Sequence, residues 1–156
     1  MQETLLILDF GSQFTQLIAR RVRELNVYCE IHPYHSIPEL HAGIKGIILS
    51  GSPHSTLEPN APHPNLENIR GHFPLLGVCY GAQLLAQTSG GEVARSTHRE
   101  YGRATVQTIA PDAQLFQGIS APSQVWMSHG DHVESIGAPF RVVGQTTSVP
   151  VAAMES

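Results

Sequence analysis

The stretch Leu75-Leu76-Gly77-Val78-Cys79-Tyr80-Gly81-Ala82-Gln83-Leu84-Leu85-Ala86-Gln87 decides the fold. It starts as an apolar run of strand length and ends as a helical pattern. Between the two, Gly77 and Gly81 stand two residues before and two after Cys79. A sharp strand-to-helix turn crowds the backbone and needs small residues at those places, as in the G-x-S-x-G elbow, of which this is the cysteine form. Such a turn lifts one side chain off the sheet and sets it at a helix N-terminus. There the helix dipole and free N–H groups favour a thiolate and then an oxyanion. The reading places a reactive sulfur at the carboxyl end of a strand.

Upstream, Thr4-Leu5-Leu6-Ile7-Leu8-Asp9-Phe10 is a continuous apolar run, the mark of a strand buried on both faces of a parallel sheet. Gly11-Ser12 closes it. Phe14 to Leu25 follows with Leu17, Ile18, Val22 and Leu25 at helical spacing. Val27 to Ile31 and Gly46 to Leu49 read as the second and third strands. Ile37 to His41, with Pro38 in its first turn, predicts a short helix, and Asn65 to Gly71 another. Ser50 to Pro64, rich in Ser, Pro, Asn and His, reads as an ordered active-site loop. The elbow helix runs to about Ser89, where Gly90-Gly91 reads as its C-cap.

Alternating strands and helices predict an α/β fold, a flavodoxin-like doubly wound and mostly parallel sheet. The second half differs. Glu92 to Ser96, Gly102 to Ile109, Val125 to Ser128 and Phe140 to Gln145 read as short strands of an antiparallel extension. Ligands of open α/β sheets bind at the carboxyl ends of strands. Asp9-Phe10-Gly11, Ser50-Gly51-Ser52 and Cys79 all fall there and are expected to converge. Gly51, able to turn its N–H inward without a Cβ, and Tyr80, directly after the sulfur, are the expected donors to an oxyanion.

The totals narrow the function classes. With 156 residues the chain suits one domain, which buries roughly 68–70% of its unfolded surface. Net charge is −4 with 9 Lys plus Arg and no basic cluster, which argues against nucleic acid as partner. No apolar run approaches membrane-spanning length, and Met1-Gln2-Glu3-Thr4 lacks a basic leader. Only Cys29 and Cys79 occur, which fits a reducing, cytoplasmic setting rather than a disulfide scaffold.

Gly-Val-Cys-Tyr-Gly-Ala-Gln at 77–83, Ser-Gly-Ser-Pro at 50–53 and Trp-Met-Ser-His-Gly-Asp at 126–131 resemble the class I (triad-type) glutamine amidotransferases. Leu8-Asp9-Phe10-Gly11-Ser12-Gln13 to Ile18-Ala19-Arg20-Arg21, with Arg99-Glu100-Tyr101-Gly102, is similar to the amidotransferase domains of the GMP synthase family. The resemblance covers essentially the whole chain, 1–156, as a single amidotransferase domain. It implies that Cys79 attacks the side-chain amide of glutamine, that Gly51 and Tyr80 line the oxyanion hole, and that Gln83, Ser128, His129, Gly130 and Asp131 fall in the stretches that hold glutamine. Asp131 suits the substrate α-ammonium. It further implies that ammonia passes to an ATP-pyrophosphatase synthetase domain that aminates adenylylated XMP. ATP and magnesium would be needed only there, and no cofactor or metal in this domain.

Ser52 and Ala82 stand where the family has glycine, both small enough to be tolerated. The larger departure is the family's catalytic His and Glu, held in a His-Pro-Glu motif on a later strand. The sequence holds no His-Pro-Glu, and no Ser-Gly-Gly-x-Asp-Ser pyrophosphate loop. The expectation is an N-terminal fragment, C-terminally incomplete, lacking synthetase and dimerisation domains and turning over slowly. Val149 to Glu155 is similar to the strand shortly before that motif.

The other candidates have plainer readings. Cys29 lies mid-strand and reads as core packing. His129 and His132 are the nearest replacements for a base but read better as positioning and surface residues. His129-x-x-His132 matches no usual zinc spacing. Asp9 reads as a residue that ties the next turn, Trp126 as buried packing, and Glu100-Tyr101-Gly102 as a contact for the synthetase domain.

Overall fold

The computed structural model describes the backbone of residues 1–156 and the side chains of all but 97–101, 128 and 129. The chain divides into two compact units, Met1–Leu84 and Leu85–Ser156.

The first unit holds β1 (Thr4–Asp9), α1 (Thr15–Glu24), β2 (Cys29–Pro33), β3 (Ile44–Leu49), β4 (Leu75–Gly77) and the start of α2 (Tyr80–Thr88). Its strands lie in the order β2-β1-β3-β4, all parallel. Leu6, Ile7 and Leu8 are successive yet all buried, so both faces of β1 are covered, as the continuous apolar run requires. On one face Ile7, Ala19, Cys29 and Ile48 form a cluster flanked by Ile18 and Val22 of α1. Cys29 is therefore the packing residue its mid-strand place suggests.

Neither short helix forms. Ile37 to His41 has no regular structure: Pro38 lacks a donor, and five residues offer too few bonds to offset helix nucleation. At 65–71 there are turns but no helix: the Ile69 and Arg70 N–H groups both donate to the Leu66 carbonyl, the His72 and Phe73 N–H groups to the Ile69 carbonyl, and Asn65 Oδ1 accepts from the Glu67 N–H at 2.9 Å. Gly71 sits in the second of these turns at φ +77.

The second unit is an antiparallel sheet of its own in the order β6-β5-β7-β8. Its strands are β5 (Glu92–Thr108), β6 (Ser123–Ser135), β7 (Arg141–Gln145) and β8 (Ala153–Glu155), with a 3-10 turn at Gln114–Phe116. The two strands expected at 92–96 and 102–109 are one, and the break between them survives as a register shift between Arg95 and Glu100. β6 runs on well past Ser128, through the whole 126–131 motif. Gly90, at φ +86, caps α2, and the Gly91 N–H donates to the Ala86 carbonyl at 2.9 Å.

Trp126 corrects an expectation. It is 73% exposed, not buried. Along β6 the odd-numbered Val125, Met127 and Val133 turn inward, so the two-residue period sends Trp126 outward beside Arg103 of the neighbouring strand.

Candidate active site

β4 pairs with β3 as far as Leu49 opposite Gly77, and the Val78 N–H adds one more bond, to the Leu49 carbonyl at 3.0 Å. The chain then turns sharply at Cys79, whose φ is +54. A side chain in this left-handed region costs about 1–3 kcal/mol and persists only where the surroundings enforce it. They do so through hydrogen bonds on both sides. The Cys79 carbonyl accepts the Gln83 N–H at 3.0 Å, and the Gly81 N–H reaches the Ser50 carbonyl at 3.1 Å.

Both flanking glycines are required by space. A Cβ on Gly77 would lie 2.7 Å from the Ala82 nitrogen, and one on Gly81 2.6 Å from the Leu49 Cβ and carbonyl oxygen. These contacts are with backbone or a buried neighbour, so nothing nearby swings aside. The glycine spacing read from the sequence thus corresponds to a close approach of the helix start to β3 and β4.

Gly51 differs. A Cβ there would meet the Cys79 Cβ at 3.4 Å and the Ser12 Oγ at 3.4 Å, ordinary contacts. Its missing side chain leaves a small gap between Cys79 and Ser12. Beneath the gap, the fully buried Ser50 hydroxyl accepts the Phe10 N–H at 2.9 Å and donates to the Gly51 carbonyl at 3.0 Å. The Gly51 N–H bonds to none of the described residues. The ends of β1, β3 and β4 therefore converge, as expected for an open parallel sheet.

The β1–α1 turn is held by Asp9. Its Oδ1 accepts the Gly11 N–H at 2.8 Å and the Thr15 hydroxyl at 2.9 Å, the tying role anticipated for it. Tyr80 is almost wholly buried, its ring 5.5 Å from that of Phe10 and its hydroxyl donating to the Pro62 carbonyl. Burial, then nearby Tyr34 and Glu58, pushes its phenol up to about 12, so Tyr80 is neutral. Its side chain anchors the long loop while its backbone N–H lies at the sulfur.

The thiol itself departs from the sequence reading. Cys79 is exposed as a residue, yet packing on the inner side of its sulfur desolvates it. Desolvation pushes the thiol up from its ordinary value, and the bond from the Tyr80 N–H offsets only part of that rise. For the charge of a thiol, the packing around the sulfur matters more than the open area of the residue, so the protonated form is held. Among the described residues no histidine nitrogen bonds it.

Gln83, buried, lies on α2 three residues after Tyr80. The other expected glutamine contacts belong to the second unit. Asp131 stands opposite Arg95 in the β5–β6 ladder, and Gly130 has open space where a side chain would begin. The side chains of Ser128 and His129 lie outside the described residues, as do those of Glu100 and Tyr101.

Ser12 was passed over in the sequence, and the reading that no His-x-Glu occurs overlooked the one that starts at His132. Ser12 faces the Gly51 gap; its place at the carboxyl end of β1 was the signal. His132-Val133-Glu134 is a His-x-Glu pair (a second, His98-Arg99-Glu100, lies outside the described side chains). His132 is engaged on both nitrogens, with Ser96 Oγ at 2.7 Å and Glu134 Oε2 at 2.6 Å. Among the described residues no three His, Cys, Asp or Glu side chains cluster as a metal site, and no helix is long and apolar enough to cross a membrane.

Comparison with known proteins yields a consistent set of relatives. Residues 6–156 match the family model "Glutamine amidotransferase class-I". A glutamine-hydrolysing GMP synthase of Cytophaga hutchinsonii is 58% identical over 153 residues, covering 98% of this chain and 30% of the relative. Its counterpart in Christiangramia forsetii is 52% identical, covering 94% of this chain and 32% of the relative. The chain thus spans under a third of the length of these curated relatives. Among solved structures, a Thermoplasma acidophilum protein described as a candidate GMP synthase subunit superposes with a TM-score of 0.80 at 25% identity, over 99% of this chain and 78% of that one. A Thermotoga maritima glutamine amidotransferase shares the fold with a TM-score of 0.77 at 17% identity, over 99% and 72% of the two chains.

Proposed function

The chain belongs to the class I glutamine amidotransferase family, and from that membership we propose that Cys79 is its nucleophile toward glutamine. The sulfur bonds to the side-chain amide carbon, the carbon–nitrogen bond breaks, and the thiol proton leaves with the nitrogen as ammonia. Water then attacks the γ-glutamyl thioester, the carbon–sulfur bond breaks, glutamate leaves, and sulfur regains a proton. The N–H groups of Gly51 and Tyr80 stabilise the tetrahedral oxyanion, the dominant electrostatic contribution in acyl transfer. The same family membership assigns the glutamine contacts to Gln83 and to the stretch holding Ser128, His129, Gly130 and Asp131. One observation carries the reading: a left-handed cysteine between two glycines that admit no side chain, with Gly51 against it.

The ammonia serves, in this proposal, a synthetase domain that aminates adenylylated XMP to GMP. The support is that the relatives named above are GMP synthases about three times longer than this chain. In this proposal the chain alone turns over slowly, since burial pushes its thiol up toward the protonated form and no histidine nitrogen bonds it among the described residues. A general base contributes roughly 10²–10⁴-fold, and members of a triad act as a unit.

Intact-mass labelling with a diazo-ketone glutamine analogue tests the nucleophile. A single adduct that Cys79→Ala abolishes supports the reading. No adduct, with Cys79 still alkylated by iodoacetamide, overturns it.

A further inference from the structure

We propose that Ser12 is a third donor to the substrate, its hydroxyl reaching the group that Cys79 attacks. The inference rests on the glutamine reading above and adds a residue to it.

The argument begins with the β1–α1 turn. Asp9 fixes Gly11 through its N–H, and Gly11, at φ +92, carries the chain back over the sheet end. That places Ser12 above Gly51. The Ser12 Oγ lies 3.4 Å and its Cβ 3.6 Å from the point where a Gly51 side chain would begin. The Cys79 Cβ is 3.4 Å from the same point. A group small enough to occupy that gap touches the nucleophile's side chain and the serine hydroxyl together.

The hydrogen bonding of Ser12 leaves its proton available there. Its oxygen accepts the Phe14 N–H at 2.9 Å, which fixes the side chain at the start of α1. The hydroxyl proton has no acceptor among the described residues. A half-buried hydroxyl that accepts but does not donate is prepared for an incoming oxygen. The proposed chemistry creates an oxyanion nearby, on the carbon bound to sulfur, with the substrate carbonyl as its neutral precursor. The Gly51 and Tyr80 N–H groups are main-chain donors fixed in place, whereas the Ser12 hydroxyl rotates and can follow the oxygen as its carbon becomes tetrahedral.

The test compares two reagents on the intact chain. Inactivation of Cys79 is timed with the diazo-ketone glutamine analogue, which carries a carbonyl to be bound, and with iodoacetamide, which needs no such site. Ser12→Ala is expected to slow the analogue about tenfold, the worth of one neutral hydrogen bond, and to leave iodoacetamide within about twofold. Ser12→Thr, which keeps the hydroxyl, restores the analogue rate. Equal analogue rates in wild type and Ser12→Ala overturn the proposal while leaving the glutamine reading intact. Parallel loss with both reagents also overturns it, because Ser12 then acts on the thiol or the fold. A wild-type chain inert to the analogue but open to iodoacetamide removes the glutamine reading, and this proposal with it.

Discussion

Gly81 packs so closely on Leu49 that a side chain on the glycine would begin 2.6 Å from the leucine's Cβ and carbonyl oxygen. Gly51, beside the Cys79 side chain, has no such constraint, and its φ lies outside the left-handed region. Alanine should therefore behave oppositely at the two sites. Gly81→Ala is expected to lose roughly 1–3 kcal/mol of stability in urea unfolding, the usual cost of forced overpacking. Gly51→Ala should fold with nearly wild-type stability yet resist the glutamine analogue, because its methyl fills the gap between Cys79 and Ser12. A Gly51→Ala chain labelled at the wild-type rate would refute this account of the gap.

Tyr80→Phe removes one hydroxyl and leaves the Pro62 carbonyl without its donor. The expected loss is roughly 1–3 kcal/mol, with faster proteolysis in the loop around Pro62. The phenol also links stability to pH. Its native value is raised to about 12 by burial, so its contribution is complete below the ordinary tyrosine range. That contribution is lost as pH climbs from about 10 toward 12. Unfolding midpoints measured across that window should fall in wild type and fall less in Tyr80→Phe.

The alkylation of Cys79 by iodoacetamide should rise with pH to a midpoint above that of an ordinary cysteine, because desolvation outweighs the Tyr80 N–H. A midpoint below the ordinary value would show a thiolate stabilised by a group that the described side chains do not reveal.

Glu155 links the end of the chain to its neighbours. It receives Arg141 at 2.9 Å and the N–H groups of Gln114 and Leu115 at 3.3 and 3.1 Å. The Arg141 guanidinium, then the Leu115 N–H, hold its carboxyl below the usual range. The contribution is present above the ordinary glutamate value and is lost as pH falls through the lowered one. Glu155→Gln should therefore flatten the acid side of the stability profile and increase hydrogen exchange in β8, with the difference shrinking in high salt.

The parallel half of the fold was legible because Leu5 to Leu8 and Ile47 to Leu49 have no polar face, which only a doubly covered strand satisfies. The elbow was legible because glycine at Gly77 and Gly81 reports a backbone contact directly. Trp126 was misread, since an aromatic residue is apolar by composition and its outward direction depends on strand parity. The protonated state of Cys79 was hidden for a different reason: a helix N-terminus shows in sequence, while desolvation of one sulfur depends on the surrounding packing. Ser12 was visible only as a strand-end residue until Gly51 was placed beneath it.

The left-handed turn at Cys79 has an evolutionary consequence. A glycine would occupy that φ without strain, so Cys79→Gly should give a chain at least as stable as the original, while the sulfur is lost. Folding and reactivity therefore pull in opposite directions at this one position. Were the chain released from selection for chemistry and kept only for its shape, the cysteine would be among its least protected residues, and Gly77 and Gly81 among the last to change.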